Sequence, residues 1–300
     1  MEGVWGLNRP PFPFEYQVKA RRRDHLSGGV NMASAKKLKR TEKKQSFYLA
    51  ISAISVCAFL IFWELIVNFN IVSPHLLASP TQVLALFVDK LSNPNPDGEI
   101  IWGHIILSLE EALIGYVLAL AIGIPLGLAM GWFNTFDGLV RPIFEIVRPV
   151  PSVAWIPLCI IWFGTGLFSK VFIIFIGALV PCVINSCSGV KMTNPTYIRM
   201  AKTYGADNWE IFKNICIPSA LPMVFGGLQV ALASAWTCLV AAEMVGANAG
   251  LGFFIEMGRR LLMPDMIILG MVLTALTGVV ITIIVGFIEK QLVKGSRKGQ

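Results

Sequence analysis

Charged side chains are scarce in this sequence of 300 residues. Only 14% of the residues are Asp, Glu, Lys or Arg, whereas 55% are hydrophobic and the mean hydropathy is +0.67. A soluble domain of this length needs more charge to cover its surface. The composition therefore excludes an ordinary soluble globular protein and indicates a protein that crosses a membrane several times.

Residues that bind metals or catalyse reactions are also few. The chain has three histidines and six cysteines, with no Cys-x-x-Cys pair and no histidine cluster. No serine has a His–Asp pair nearby, and the Walker sequence Gly-x-x-x-x-Gly-Lys-[Ser/Thr] does not occur. We therefore expect no catalytic residue, no metal and no cofactor in this chain, and any ATP hydrolysis has to come from a partner.

The positive charge is concentrated at the N-terminus. Residues 1–46 contain eleven Lys or Arg and four Asp or Glu, an excess that equals the net charge of +7 of the whole chain. An apolar segment follows at once, which predicts a basic cytoplasmic tail under the positive-inside rule. The adjoining membrane segment disfavours nucleic-acid binding. The basic run that opens at Met32 also indicates a translation start there, with residues 1–31 not native.

Several apolar segments have the length of about 20 residues that a spanning helix needs. We predict six spans, at roughly 47–69, 105–132, 143–163, 168–190, 221–245 and 266–288. The fold class is therefore all-α, with a membrane domain over residues 47–290 and a cytoplasmic tail over 291–300. Counting spans from the tail places the turn at 134–141 and the segment 191–218 inside. The segments 70–104 and 246–265 and the short turn at 164–169 are then outside.

Local patterns refine this prediction. Residues 81–91 predict a short outer helix capped by Ser79 or Thr81. Glycines recur every four residues at Gly123, Gly127 and Gly131, which favours close helix packing within one subunit over a dimer seam.

The inner segment 191–218 predicts an ordered structure. Pro195 suits the first turn of a helix that ends at Gly205, because glycine accepts the left-handed backbone conformation. Asp207 can cap a second helix, and Pro218 would end it before the fifth span. A helix–turn–helix hairpin on the cytoplasmic face is a place where a cytosolic partner could dock.

This hairpin resembles the Glu-Ala-Ala loop of ABC-type importer permeases. The family pattern is Glu-Ala-Ala, three residues, Gly, nine residues and Ile-x-Leu-Pro. The matching residues are Ala201, Gly205, Ile215 and Pro218, and the departures are Arg199, Met200 and Ile217. Arg at the Glu position is usual in the subgroup of permeases for nitrate, taurine, aliphatic sulfonates and bicarbonate. The sequence also resembles this subgroup in segments 141–157, 161–164, 241–247 and 250–252. The likeness covers roughly residues 50–290.

The resemblance implies the fold and the partners of a type I importer. These are a second permease copy forming a homodimer, two cytosolic ATPases that bind ATP and Mg, and an extracytoplasmic binding protein, in a bacterial inner membrane. The expected ATPase-contact residues are Tyr197, Arg199, Met200, Ala201, Tyr204, Gly205, Ala206, Asp207 and Pro218. The expected cargo is a small anion, with a sulfonate such as taurine ahead of nitrate or bicarbonate, and a vitamin precursor as the weaker alternative.

Irregular backbone and charge within the spans suggest where a pathway would run. The proline-rich run 148–157 cannot keep regular helical bonding, and such backbone is tolerated at depth where it lines a cavity. Glu243, inside the fifth span, either lines the pathway or joins two helices. The pathway candidates are Arg148, Pro151, Trp155, Trp236 and Glu243. Arg141, Glu145 and Arg148 share a helix face, which favours an ion-pair ladder over a cargo contact.

Two other classes stay open at this point. An ion-coupled secondary transporter would need paired broken spans in two repeats, which the sequence does not show. A membrane-bound enzyme would need a catalytic site, and no candidate site is present.

Overall fold

The computed structural model describes residues 32–73 and 75–297, and this part of the chain is helical without strands. The expected translation start at Met32 concerns residues 1–31, which lie outside the described range. The chain divides into two compact units, one up to Phe62 and one from Trp63 onward.

The first unit is formed by helix α1 (Met32–Asn68), whose last turns belong to the second unit. The stretch Ile51–Asn68 is long and apolar enough to cross a membrane. Ile54, Phe59 and Phe62 are each more than half exposed. Apolar side chains exposed all round a long helix are typical of contact with lipid.

The described part of the second unit contains ten further helices. They are α2 (Pro80–Lys90), α3 (Ile101–Trp132), α4 (Asn134–Val147), α5 (Ile156–Phe163), α6 (Leu167–Lys191), α7 (Pro195–Thr203), α8 (Asn208–Ile211), α9 (Ile217–Gly246), α10 (Leu251–Arg260) and α11 (Pro264–Arg297). Five helices qualify as spans, and a bent pair of segments makes a sixth when counted as one. The all-α prediction is therefore confirmed.

The core of the second unit lies where α3, α6 and α9 meet. Small buried residues such as Ala119, Ala178 and Ala235 bring these helices close together. A Cβ added to Gly127 would lie 2.5 Å from the Val183 carbonyl oxygen of α6. Packing of α3 on α6 within one subunit, as the glycine spacing predicted, is confirmed.

The short helix predicted over residues 81–91 is also confirmed, at Pro80–Lys90. Helix α2 begins after Ser79, whose hydroxyl accepts from the Gln82 backbone N–H while the Gln82 side chain accepts from the Ser79 N–H. This reciprocal pair is a capping box. Thr81 donates its hydroxyl to Glu64, over 2.8 Å, which ties the start of α2 to the end of α1.

The third predicted span differs from its expectation. Residues 134–141 form the first half of α4, where the sequence indicated a turn. The helical pair Asn134–Val147 and Ser152–Phe163 is bent by 80°. Pro149 and Pro151 have no backbone N–H to donate, so helical bonding cannot continue across this point.

Pro218 does not end a helix, and that prediction was wrong. Residues Asn208–Gly246 form one continuous helical stretch. A π turn at Phe212–Cys216 precedes Pro218, and the Ile217 N–H donates to the Phe212 carbonyl five residues earlier. A proline ring crowds the carbonyl four residues before it. The wider π turn makes room for that ring, so the helix continues.

Candidate functional site

The segment between α6 and α9 forms a capped hairpin, called here the coupling hairpin (residues 194–216). Its first helix, α7, is capped by Asn194, whose side chain accepts from the Thr196 N–H over 2.9 Å. Gly205 follows α7 with a φ of +83°. Asp207 then caps α8 in a capping box with Glu210. The Gly205 turn and the Asp207 cap are present as predicted, whereas the Asn194 cap was not predicted.

Aromatic packing holds the coupling hairpin against the bundle. The Phe212 ring lies 5.6 Å from the ring of Trp132 at the end of α3, and 5.6 Å from the ring of Trp209. Ile211 is fully buried, and Ala201 and Ala206 pack against the same cluster. The coupling hairpin therefore packs directly against α3, α6 and α9.

The nine predicted ATPase-contact residues fall into two groups. Tyr197, Met200 and Tyr204 are exposed, with 56%, 53% and 87% of their surface accessible, and Arg199 is exposed beside them. The others contribute through the backbone: the Ala206 N–H donates to the Ala201 carbonyl over 3.0 Å, and Gly205 and Asp207 form the turn and the cap. Pro218 lies beyond the hairpin in the first turn of α9, and Gly205, Asp207 and Pro218 are also exposed.

The pathway candidates of the third span lie at the bend. Arg148 directly follows α4, Pro151 precedes a 3₁₀ turn over Ser152–Trp155, and that turn leads into α5. Arg148 and Pro151 are exposed. Trp155 packs in a cluster with Cys238 and Ala242 of α9, and its indole N–H is buried without a hydrogen-bond partner among the described residues.

Trp236 lies in a different place. It lines an apolar groove of about 670 Å³ between α9 and α11. Its indole N–H donates to the Thr274 carbonyl over 3.2 Å, and a Cβ added to Gly278 would come within 2.8 Å of the indole nitrogen. Trp236 therefore fixes the spacing of two spanning helices.

Glu243 is fully buried where α3, α9 and the start of α10 meet. It accepts from the Ser108 hydroxyl over 2.6 Å and from the Gly252 N–H over 2.7 Å. His104 accepts from the Gly250 N–H, and Ser108 accepts from the Leu251 N–H. Three side chains thus satisfy the first N–H groups of α10, where a carboxylate also complements the helix dipole.

Sequence reasoning missed several members of this buried polar network. Lys90 and His104 both contact Asp97, and Lys170 pairs with Glu111. The signal available was that His104, Ser108 and Glu111 share one face of α3 through spacings of four and three residues. Among the described residues, no cluster of His, Cys, Asp or Glu is arranged to hold a metal ion.

Comparison with known proteins gives matches along most of the chain. The family described as "Binding-protein-dependent transport system inner membrane component" matches residues 119–298. The taurine transport system permease protein of Escherichia coli is 33% identical over 231 residues, covering 76% of this chain and 83% of that protein. The nitrate import permease protein of Leptolyngbya laminosa is 29% identical over 252 residues, covering 82% and 88%.

A solved structure shares the fold. The MetNI methionine ABC transporter, in an inward facing conformation, matches with a TM-score of 0.51 at 18% identity, covering 65% of this chain and 97% of that chain. At this identity the likeness concerns the arrangement of the helices alone.

Proposed function

The chain belongs to the family of binding-protein-dependent transport system inner membrane components, and on this premise we propose that two copies of it form the anion pathway of a type I ABC importer. Family membership makes it a membrane-spanning transport subunit and not an enzyme. Its fold is that of a type I importer permease, and its relatives place it in the taurine, nitrate and sulfonate subgroup. Proteins of this kind work with an ATPase and a binding protein.

The coupling hairpin carries the proposal for how ATP drives transport. Its exposed Tyr197, Met200 and Tyr204 form an apolar and aromatic surface on a part of the chain that is otherwise polar. Large exposed apolar side chains rimmed by polar residues are typical of protein interfaces. We infer that this surface contacts the ATPase, and that ATPase closure moves α6 and α9 through the buried base of the hairpin.

The proposed partner face is a stripe along α9, called here the α9 stripe (Gly226, Gln229, Ala233 and Thr237). All four residues are exposed on the single chain and recur every three or four positions. Small and polar side chains on a spanning helix favour contact with another helix or with a water-filled path over contact with lipid. This supports a homodimer in which α9 of each copy borders the pathway.

The cargo we propose is a small organic sulfonate such as taurine, with nitrate or bicarbonate as the alternative. Relatives named for taurine and for nitrate transport both align with most of the chain. Both named cargoes carry an oxyanion group, and Arg148 lies exposed at the bend that we assign to the pathway. We assign Glu243 to the positioning of α10, because a buried, hydrogen-bonded carboxylate does not meet a passing anion.

The orientation we propose has both termini in the cytoplasm of a bacterial cell. The excess of basic residues in segment 1–46 and in the tail after 290 supports it. The coupling hairpin then lies on the cytoplasmic side, where an ATPase can reach it. We keep the roles expected from the sequence: residues 47–290 form the membrane domain, 191–218 the coupling loop within it, and 291–300 the cytoplasmic tail.

Co-purification tests the central contact. The wild-type chain is purified from its native cell in mild detergent, beside a Tyr204→Ala, Met200→Ala double variant. We expect an ATPase with the wild type and a loss of at least about tenfold in the double variant, about 1.4 kcal/mol. Trp102→Ala, which removes an exposed aromatic side chain outside the hairpin, is the matched control and retains the ATPase.

The same strains test the cargo. Uptake of labelled taurine and of labelled nitrate is measured in cells that lack the chain and in cells that regain it. Restored taurine uptake supports the sulfonate assignment, and restored nitrate uptake alone replaces it with the alternative. Absence of any co-purifying ATPase from the wild type contradicts the importer assignment itself.

A further inference from the structure

A small cavity lined by both charged and apolar side chains lies between α4 and α6, at the end of the bundle that leads into the coupling hairpin. Its volume is about 210 Å³. Arg141, Glu145 and Arg148 line one side, and Ser188 and Lys191 line the other. A cavity of this size is smaller than a site for a drug-sized ligand and suits a molecule of a few heavy atoms.

The positive charge of this cavity is only partly neutralised. Arg141 donates to both oxygens of Asp137, over 2.7 and 2.8 Å, and Lys191 donates to one of them over 2.9 Å. The Asp137 carboxylate thus binds both Arg141 and Lys191. The remaining carboxylate, Glu145, lies 3.9 Å from Arg141 and 3.5 Å from Arg148.

Arg148 is therefore the cation with the weakest partner. Its contact with Glu145 is at the outer limit of a hydrogen bond, and its side chain remains 48% exposed. A guanidinium group presents paired N–H donors in a plane and binds the oxygens of a carboxylate, sulfonate or phosphate through two of them. Three cations against two carboxylates leave this cluster with a net positive charge.

We propose that this cavity, called here the α4–α6 cavity, is a binding site for a small oxyanion, with Arg148 as the main ligand and Glu145 as its competitor. The proposal deepens the proposed function, because it gives the anion a resting place near the inner end of the pathway. Arg141 and Lys191 stay bound to Asp137 and add a positive electrostatic potential that attracts the anion.

The charged side chains of the α4–α6 cavity are partly exposed to solvent, which suits a site that binds an anion only briefly. The side chains of Arg141, Glu145, Arg148 and Lys191 are each between 43% and 48% exposed. Screening by water weakens ion pairs at such exposure. A transport pathway needs binding that is strong enough for entry and weak enough for release. We therefore expect affinity in the millimolar range, about 4 kcal/mol.

Two kinds of molecule in a cell could supply the oxyanion that binds this site. One is the transported anion, and the other is the phosphate of a lipid headgroup at the inner surface. Both would use the Arg148 guanidinium, so both predict the same response to substitutions. A phosphate-free detergent separates them, because the lipid can then be left out or added.

The test measures anion binding to the full-length chain, purified with its accompanying ATPase in a maltoside detergent. Taurine is the probe in saturation-transfer NMR, and nitrate is the competitor. We expect Arg148→Gln to raise the dissociation constant of taurine by about fivefold or more, and Glu145→Gln to lower it by about two- to fivefold. Arg260→Gln, which removes an exposed arginine at α10, is the matched control and changes nothing.

A separate measurement tests whether a lipid headgroup occupies the site. Phosphatidylglycerol is added to the same preparations, and its retention is followed by native mass spectrometry. Retention that Arg148→Gln abolishes and Glu145→Gln strengthens supports the oxyanion site with a lipid headgroup as its occupant. Taurine binding with the same pattern supports it with the transported anion.

The opposite signs expected for the two substitutions make the proposal falsifiable. A structural ion-pair ladder would make both variants less stable without changing the affinity for any anion. If neither taurine nor phosphatidylglycerol responds to Arg148→Gln and Glu145→Gln in folded, ATPase-bound protein, the site is overturned. The retained ATPase would show that the importer assignment still stands.

Discussion

The buried pair of Lys90 and Asp97 shows how single residues hold the end of α2 against the following loop. Both side chains are fully buried, and Lys90 also donates to the carbonyl of Glu99 over 2.9 Å. Burial alone would raise the pKa of Asp97, but hydrogen bonds from His104 and Lys90 outweigh it, so its pKa is lowered. Asp97 therefore stays ionised and balances the buried ammonium group.

We expect Asp97→Asn to destabilise the protein by about 3–5 kcal/mol, because it leaves the Lys90 charge buried without its partner. The measurement is denaturant unfolding in detergent. Asp89→Asn is the matched control, since Asp89 is exposed beside Lys90 at the end of α2, and among the described residues its carboxylate accepts a hydrogen bond only from the Asn93 amide, over 3.3–3.4 Å. A loss of stability no larger than that of the control would show that Lys90 finds other compensation.

Glu256 leads to a second prediction, which concerns the stability of α10 at acidic pH. The hydrogen bond from Arg259, aided by Arg260, lowers the pKa of Glu256 from 4.5 to about 2. A carboxyl group with a lowered folded-state pKa stabilises the fold above its unfolded pKa, and this stabilisation is lost as the pH falls toward the folded value. We expect amide protection of α10 to fall between about pH 4.5 and pH 2.

Glu256→Gln removes the titrating group and tests this assignment. Hydrogen exchange of α10 at pH 6 and pH 3 is compared in the two proteins. The wild type is expected to lose more protection on acidification than Glu256→Gln does. An equal loss in both would mean that other groups, Asp97 among them, govern the acid response of α10.

Side chains such as these mark the limit of what the sequence could predict. The caps Ser79 and Asp207 were predicted from local sequence, because each bonds to residues only two or three positions away. Ser108 and Glu243 are 135 residues apart, and Lys170 and Glu111 are 59 apart. Such partners are brought together only by helix packing, which one sequence does not specify.

At the scale of helices, close approach of α3 and α6 organises the bundle. A Cβ added to Gly127 would meet the Val183 carbonyl at 2.5 Å and the Ser186 Cβ at 2.7 Å. Backbone atoms cannot move aside as a flexible side chain can, so the two helices would have to separate. The four-residue glycine spacing predicted this contact, whereas the 80° bend after α4 could be expected only as a break.

We expect Gly127→Ala to lower the unfolding free energy by about 1–3 kcal/mol through overpacking. Gly286→Ala is the matched control, because Gly286 is also within a spanning helix and has no atom within 4 Å of an added Cβ. Higher helix propensity makes that control neutral or slightly stabilising. Equal stability of the two variants would contradict the close approach of α3 and α6.

At the scale of the whole molecule, the homodimer that we propose would meet through the α9 stripe. A homodimer with a two-fold axis brings the same surface of each copy together, so a residue near the axis faces its own counterpart. The small side chains of Gly226 and Ala233 would allow the two α9 helices to approach closely. Exposed apolar side chains on α11, such as Leu276, would then face lipid.

Cysteine cross-linking tests this arrangement in the native membrane. In a Cys57→Ser background, which removes the one exposed thiol among the described residues, Ala233→Cys is expected to form an oxidant-dependent dimer. A disulfide needs Cα atoms within about 7 Å, so the cross-link reports close approach of the two helices. Leu276→Cys is the control and is expected to stay monomeric under the same oxidant. A dimer from Leu276→Cys and none from Ala233→Cys would move the partner face from α9 to α11, and the pathway would have to move with it.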